Sequence, residues 1–426
     1  MTRTQLVNIL FIHQNFPGQF KHLAPALASR PRHQVVAMHI NPTTDLPGVR
    51  TLRYAPPPGQ VAGGHRWLSD LQAKVVRGEA AYRCALALKD EGFVPDVIVA
   101  HPGWGESLFL QDVWPQARLG IYCEFYYHAQ GADSGFDPEF GAPSPDDACR
   151  LRLKNANYQL HFPGATGGLA PTQWQKSVFP DPFRSRIRVQ HDGIDTDKIR
   201  PNPGVRMTLR TRTGDITLSR DDEVITFVNR NLEPYRGYHI FMRALPAILK
   251  ARPNARVLIV GADGISYGAA PPPLPADAAG QPGAKRSWRQ IFLDEVQGEL
   301  DMSRVHFLGT VPYAQFISML QLSTVHVYLT YPFVLSWSLL EAMSAGCAIV
   351  ASDTAPVREA IIDNETGRLV DFFDVNAWSS QVIDLCNQPQ QRKQLGAAAR
   401  RHAQTHFDLH KQCLPGQLDW VTSLAG

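Results

Sequence analysis

Long apolar runs are missing from this chain of 426 residues. None reaches the roughly 20 residues that a membrane-spanning helix needs. The N-terminal apolar run, Leu6 to Ile12, is broken by Asn8 and passes directly into His13-Gln14-Asn15, too short and polar for a secretion signal. Charge of one sign is equally scarce. Forty-two Lys and Arg stand against 39 Asp and Glu, a net charge of +3 with no dense basic run. That balance argues against nucleic-acid binding and leaves room only for local basic pockets. The six cysteines (Cys84, Cys123, Cys149, Cys347, Cys386, Cys413) form no C-x-x-C pair and no metal-ligand spacing. Several sit inside apolar segments, where a thiol packs as a small hydrophobe. These absences point to a reducing, cytoplasmic setting, still compatible with peripheral attachment to a membrane surface.

What is present is the composition of a soluble globular protein, 44% apolar and 19% charged. Its length exceeds what one hydrophobic core supports, so two domains of roughly 200 residues are expected. Short apolar runs alternate with helical patterns throughout, which is the pattern of parallel sheets joined by crossover helices. In the first half the expected strands are Val7–Ile12, Gln34–His39, Asp96–Ala100, Leu119–Cys123, Gly168–Ala170 and Ile187–Val189. A first helix is expected where Phe20, Leu23, Ala24 and Leu27 repeat on one face. Residues 196–222 turn polar and turn-rich, as an interdomain connection does. A second series follows, with strands Val224–Val228, Arg256–Val260, Val305–Leu308, Thr324–Leu329 and Ala348–Ala351 and a helix over Ile240–Leu249. Residues 264–288, rich in Pro, Ala and Gly, read as a long loop, either an exposed insertion or a lid. The fold class is therefore α/β, two Rossmann-like domains facing across a cleft. The first spans 1–200 and the second 201–405, and residues 406–426 form a terminal helix that crosses back to the first.

The stretch from Tyr331 to Ala351 reads as a loop, a helix with one buried carboxylate, a glycine stop at Gly346 and a buried strand. Small residues at Ser336 and Ser338 allow backbone N–H groups to face an anion at the helix start. Glu341, about one turn in, is placed to accept hydrogen bonds from a vicinal diol such as a ribose. An ordinary buried αβ unit is the alternative. After Val224–Val228, the segment Asn229-Arg230-Asn231-Leu232-Glu233-Pro234-Tyr235-Arg236-Gly237 brings two guanidiniums to the mouth of a sheet. Such a pair can clamp a diphosphate and stabilise charge growing on it. Two solvated arginines are the plain alternative.

Taken together these pieces resemble the nucleotide-sugar-dependent glycosyltransferases of family 4, which have the two-domain GT-B architecture. The likeness is strongest from Val224 to Val370. It runs through the Arg-loop-Arg-Gly segment, Val305-His306-Phe307-Leu308-Gly309, Glu341-Ala342-Met343-Ser344-Ala345-Gly346 and Asn364-Glu365-Thr366-Gly367-Arg368-Leu369-Val370. Gln190-His191-Asp192-Gly193-Ile194-Asp195 resembles the family's Asn-Gly-Val-Asp segment. The resemblance implies that Arg230 and Arg236 hold the donor's diphosphate, Arg236 standing where the family more often has Lys. It implies that Glu341 binds the ribose, that backbone N–H groups near Ser338 and Leu339 meet a phosphate, and that Val311 meets the nucleobase. It also implies that Gly18, otherwise a plain turn after Pro17, lets backbone approach the donor. His101, after Asp96–Ala100, matches a family His set against the donor sugar and is the third catalytic candidate. Glu124 and the aromatic Tyr127 are further sugar or acceptor candidates, and Glu106 is either another or a residue favoured by a helix dipole.

One position departs from the family. Its paired-acid motif carries a second Glu eight positions before the ribose-binding one, and here that position is Phe333, with no acid from Thr324 to Leu340. Main-chain contacts near Phe333–Leu335 are expected to substitute. The activity implied is retaining transfer of a sugar from a nucleoside diphosphate donor, UDP-linked, to a hydroxyl acceptor in polysaccharide or glycoconjugate synthesis. The nucleotide sugar is a co-substrate and no cofactor is required. No metal is required either, since arginines supply the charge and no D-x-D pair ends a strand. Two rival readings are an inactive nucleotide-sugar-binding protein, kept open by Phe333, and a GT-B epimerase, which needs acids on both faces of the sugar. Acceptor contacts are expected from loops 55–75 and 125–150.

Overall fold

The computed structural model describes residues 7–55, 64–211, 214–272 and 286–426. The chain divides into two compact units, Met1–Gly193 with Leu409–Gly426, and Ile194–Asp408. The divisions fall at 193/194 and 408/409 rather than at 200/201 and 405/406. No helix among the described residues is long and apolar enough to cross a membrane.

The first unit holds strands β1 (Val7–Ile12), β2 (His33–His39), β3 (Val49–Arg53), β4 (Val97–Ala100), β5 (Arg118–Tyr122), β6 (Ala165–Ala170) and β7 (Ile187–Val189). They form one sheet in the order β3-β2-β1-β4-β5-β6-β7, and every pairing is parallel. The apolar run of β4, and that of β1 which only Asn8 interrupts, suit strands covered on both faces. The segment read as a single helix splits into a 3-10 turn, Gly18–Phe20, and a helix, Leu23–Ala28. Pro25 explains the break, because a proline without an N–H is accommodated in a helix's first turn and not in its middle. The C-terminal helix Leu414–Leu424 packs on this sheet where β5 has no side chain to obstruct it. A Cβ on Gly120 would lie 2.4 Å from Leu424 Cδ1 and 2.9 Å from Trp420 Cζ2.

The second unit opens with a hairpin, β8 (Met207–Thr211) and β9 (Gly214–Leu218), inside the stretch read as an irregular connection. The hairpin forms because Met207, Leu209 and Leu218 alternate inward and join a core with Ile199 and Val205. Strands β10 (Val224–Asn231), β11 (Arg256–Ala262), β12 (Val305–Gly309), β13 (Val325–Tyr328), β14 (Ile349–Ser352) and β15 (Arg368–Val370) then build a sheet in the order β12-β11-β10-β13-β14-β15. Its pairings are parallel throughout. Of the Pro-rich stretch, 273–285 lies outside the described residues, and helix Trp288–Val296 begins at its end, capped by Ser287. Of the expected acceptor loops, 56–63 lies outside the described residues and 69–75 is the start of helix Ser69–Asp90. Residues 145–150 likewise belong to helix Pro145–Lys154, which Ser144 and Asp147 close with a capping box.

Candidate functional site

In the second unit the segments that leave the carboxyl ends of β10, β12 and β13 meet. Beyond β10 the chain makes a 3-10 turn over Pro234–Arg236 and reverses at Gly237, φ +69°. A Cβ there would lie 2.2 Å from Leu329 Cβ, so only glycine fits. The turn drives Arg236 inward to 7% exposure, whereas Arg230 stays exposed at the strand end. Arg236 Nη1 donates to Thr330 Oγ1 at 2.7 Å and to the Val334 carbonyl at 3.0 Å. Its guanidinium lies 5.3 Å from the Tyr267 ring centre and 6.0 Å from that of Phe333. The pair expected at the mouth of the sheet is thus one open arginine and one locked one.

Helix Trp337–Ala345 follows, and Glu341 lies 7% exposed within it. Its Oε1 accepts from the Tyr313 hydroxyl at 2.6 Å, which anchors the carboxylate to the segment leaving β12. Burial, followed by the Glu341 charge, pushes the Tyr313 phenol up. Val311 is half-buried against the core in that same segment.

The expectation of open N–H groups at the helix start is not met. Ser338 N–H donates to Ser336 Oγ, an N-cap, and Leu339 N–H to the Ser336 carbonyl. Ser336 N–H donates to the Tyr328 hydroxyl at 3.0 Å. A serine that caps its own helix consumes the donors an anion would use. Nor is the main chain around Phe333–Leu335 wholly available, since Arg236 occupies the Val334 carbonyl. Phe333 itself is 2% exposed, edge-on to Tyr235 at 5.2 Å and tilted against Tyr267 at 4.9 Å.

In the first unit the site candidates follow β1, β4 and β5. His101 caps the 3-10 turn Pro102–Trp104, its Nδ1 accepting from Gly103 N–H. The imidazole is 1% exposed, stacked between Trp104 at 4.5 Å and Tyr122 at 5.4 Å. It therefore reaches outward through Glu124, whose Oε2 is 3.5 Å from Nε2 and whose side chain keeps 34% exposure. Glu124 Oε1 accepts from Gln19 Nε2 at 3.2 Å, and Gln19 Oε1 lies 2.8 Å from His13 Nε2. Burial, then the neighbouring His101, pulls His13 down to about 3, so it is a neutral donor to Gln19. Gly18, φ +45°, lies against this ring, where a Cβ would be 2.4 Å from His13 Nε2. Its smallness thus serves the imidazole. Sequence reading missed His13 and Gln19, although His13 follows β1 directly and that position is the signal that could have found it.

Two further candidates are placed differently from expectation. Tyr127 has Lys154 Nζ 3.6 Å over its ring, so that face meets an ammonium rather than a sugar. Glu106 lies in a turn, ahead of helix Leu110–Val113, and is fully buried with Arg77 Nε 3.8 Å away. Burial pushes its carboxyl up to about 7 against the pull of Arg77.

Comparison with known proteins matches both units. A family model described as Glycosyl transferase family 4 group covers residues 31–199, and one described as Glycosyl transferases group 1 covers 213–402. A D-inositol 3-phosphate glycosyltransferase of Streptomyces avermitilis is 27% identical over 52% of this chain and 44% of its own length. A GDP-mannose-dependent alpha-(1-6)-phosphatidylinositol monomannoside mannosyltransferase of Mycolicibacterium smegmatis is 26% identical over 54% of this chain and 56% of its own. The chain thus spans about half the length of the curated relatives it matches. Among solved structures, sucrose-phosphate synthase of Thermosynechococcus elongatus has a TM-score of 0.70 at 17% identity, covering 99% of this chain and 100% of that one. Anabaena HepE in complex with UDP and glucose has a TM-score of 0.63 at 15% identity, covering 98% and 99%. At these identities the structural likeness is one of fold.

Proposed function

We propose, for a chain that belongs to the family-4 glycosyltransferases of the GT-B fold, that it transfers a sugar from a nucleoside diphosphate to a hydroxyl acceptor with retention of configuration. The observation that carries this reading is the convergence in the second unit: Arg236 bonded to Val334 ahead of the helix that bears Glu341, and Glu341 bonded to Tyr313 beyond β12. A diol-accepting carboxylate and a buried cation on one edge of a parallel sheet suit a nucleotide diphosphate.

In this reading Glu341 takes the ribose hydroxyls and Arg230 with Arg236 takes the diphosphate. As the glycosidic bond breaks, negative charge grows on the departing diphosphate. Arg236, already oriented by Thr330 and Val334, stabilises it without reorganising. The acceptor oxygen then bonds to the anomeric carbon on the face the diphosphate leaves and gives its proton to a phosphate oxygen, which yields retention. The two guanidiniums supply the charge, so no metal enters the reading. In the first unit Glu124, backed by His101 and Gln19, is the group assigned to the sugar or acceptor.

We read the donor as UDP-linked, on the resemblance to UDP-binding members of the fold, although one relative is named for GDP-mannose. Incubation with UDP-glucose, UDP-galactose, UDP-N-acetylglucosamine and GDP-mannose, read by released nucleoside diphosphate, tests this. Slow release from a UDP donor is expected. Binding of a donor without any release would favour a non-catalytic binding protein, and binding of none would sink the proposal.

A further inference from the structure

The segment after β11 is held by side chains at and just beyond the end of β10 and from helix Trp288–Val296. Glu233, fully buried, accepts from Ser266 N–H at 3.1 Å, Gly268 N–H at 3.4 Å and Tyr267 N–H at 3.5 Å. Asn231 takes Gly264 N–H at 3.1 Å and gives its amide to Ser266 Oγ at 2.6 Å. Trp288 Nε1 donates to the Ala269 carbonyl at 3.0 Å. A buried carboxylate facing three backbone N–H groups is a costly frame unless those bonds are kept. What the frame presents is Tyr267, 42% exposed.

Tyr267 sits 4.9 Å from Phe333 and 5.5 Å from Tyr235, with the Arg236 guanidinium 5.3 Å from its centre. The Phe333 side chain offers a sugar no acceptor for its hydroxyls, and the Glu233 carboxylate accepts from the loop backbone. A half-exposed aromatic ring beside the diphosphate cation remains.

We propose that Tyr267 is the platform for the transferred sugar. Its exposed ring takes the C–H face of a pyranose held next to Arg236, and stacking replaces the carboxylate absent at 333. Glu233 is its positioning residue. The donors favoured are those whose pyranose presents an unobstructed apolar face. This rests on the donor reading above.

Calorimetry of Tyr267→Ala, Tyr267→Phe and the unaltered protein, with UDP, UDP-glucose and UDP-galactose and with GDP and GDP-mannose, tests it. For the nucleotide that the unaltered protein takes, Tyr267→Ala is expected to bind the bare diphosphate within twofold of normal and the sugar donor about three- to tenfold more weakly. Tyr267→Phe, which keeps the ring, should restore donor binding. Equal loss for diphosphate and donor would overturn the platform in favour of a role in supporting Arg236, and no loss for either would overturn it outright. If the unaltered protein binds neither UDP nor GDP, the donor reading itself fails and takes the platform with it.

Discussion

Arg230 stands exposed at the end of β10 while Arg236 is buried and bonded to Thr330 and Val334, so truncating them should have different consequences. Arg230→Ala is expected to leave stability within about 0.5 kcal/mol and lower donor turnover by roughly 10²–10³-fold, measured by denaturant melts and product release. Arg236→Ala should lose turnover and also about 1–3 kcal/mol of stability, because the Val334 carbonyl loses its donor. Equal stabilities would mean that the lock contributes nothing. Glu106 yields a pH prediction. Its folded carboxyl is raised from the ordinary 4.5 to about 7, so the folded state binds more protons between those values and loses stability as pH rises through them. Glu106→Gln should therefore stabilise the first unit at pH 8, by at most about 3 kcal/mol, and change little at pH 4. His13 works in the opposite sense. Its folded value near 3 against 6.5 means that stability is lost as pH falls below 6.5. The residue types at 230, 236 and 341 were legible because their chemistry is written in the side chain. The partners of Arg236 and Glu341 were not, because Thr330, Val334 and Tyr313 become neighbours only when strands align.

Apolar runs such as Val224–Val228 and Ala348–Ala351 read clearly as buried strands. Edge strands β3 and β15 and the hairpin β8–β9 did not, being short and half polar, with no contrast against loop text. The helix over Glu341 was legible from Gly346, which stops it at φ +80°. That Ser336 caps this helix instead of leaving donors open was not, since one serine suits both roles. Helix Pro389–His406 crosses the end of helix Trp337–Ala345 so closely that a Cβ on Gly396 would lie 2.3 Å from the Gly346 carbonyl oxygen. Gly396→Ala should push these helices apart and cost about 1–3 kcal/mol. Gly298→Ala, where nothing lies within 4 Å, is the control and should be near neutral. Equal melting temperatures for the two would refute the close crossing.

Strand β1 and the C-terminal segment Leu409–Gly426 both belong to the first unit, whose core includes Trp420, Val421 and Leu424 packed with β1 and β4 residues such as Phe11 and Val99. Trp420→Ala should therefore destabilise that unit by about 3–5 kcal/mol while the second, Ile194–Asp408, keeps its own melting transition. Two-transition calorimetry reads this, and a shift of the second transition alone would contradict it. Sequence by itself determined that the molecule is built from parallel α/β sheets and that cationic and acidic groups follow their strands, because period, composition and turn residues act locally. Tertiary structure alone decided which arginine is open and which is locked, that Glu124 rather than His101 faces outward, and that Tyr267 flanks Phe333. Each of those depends on residues distant in the chain competing for the same hydrogen-bond donors and the same buried space.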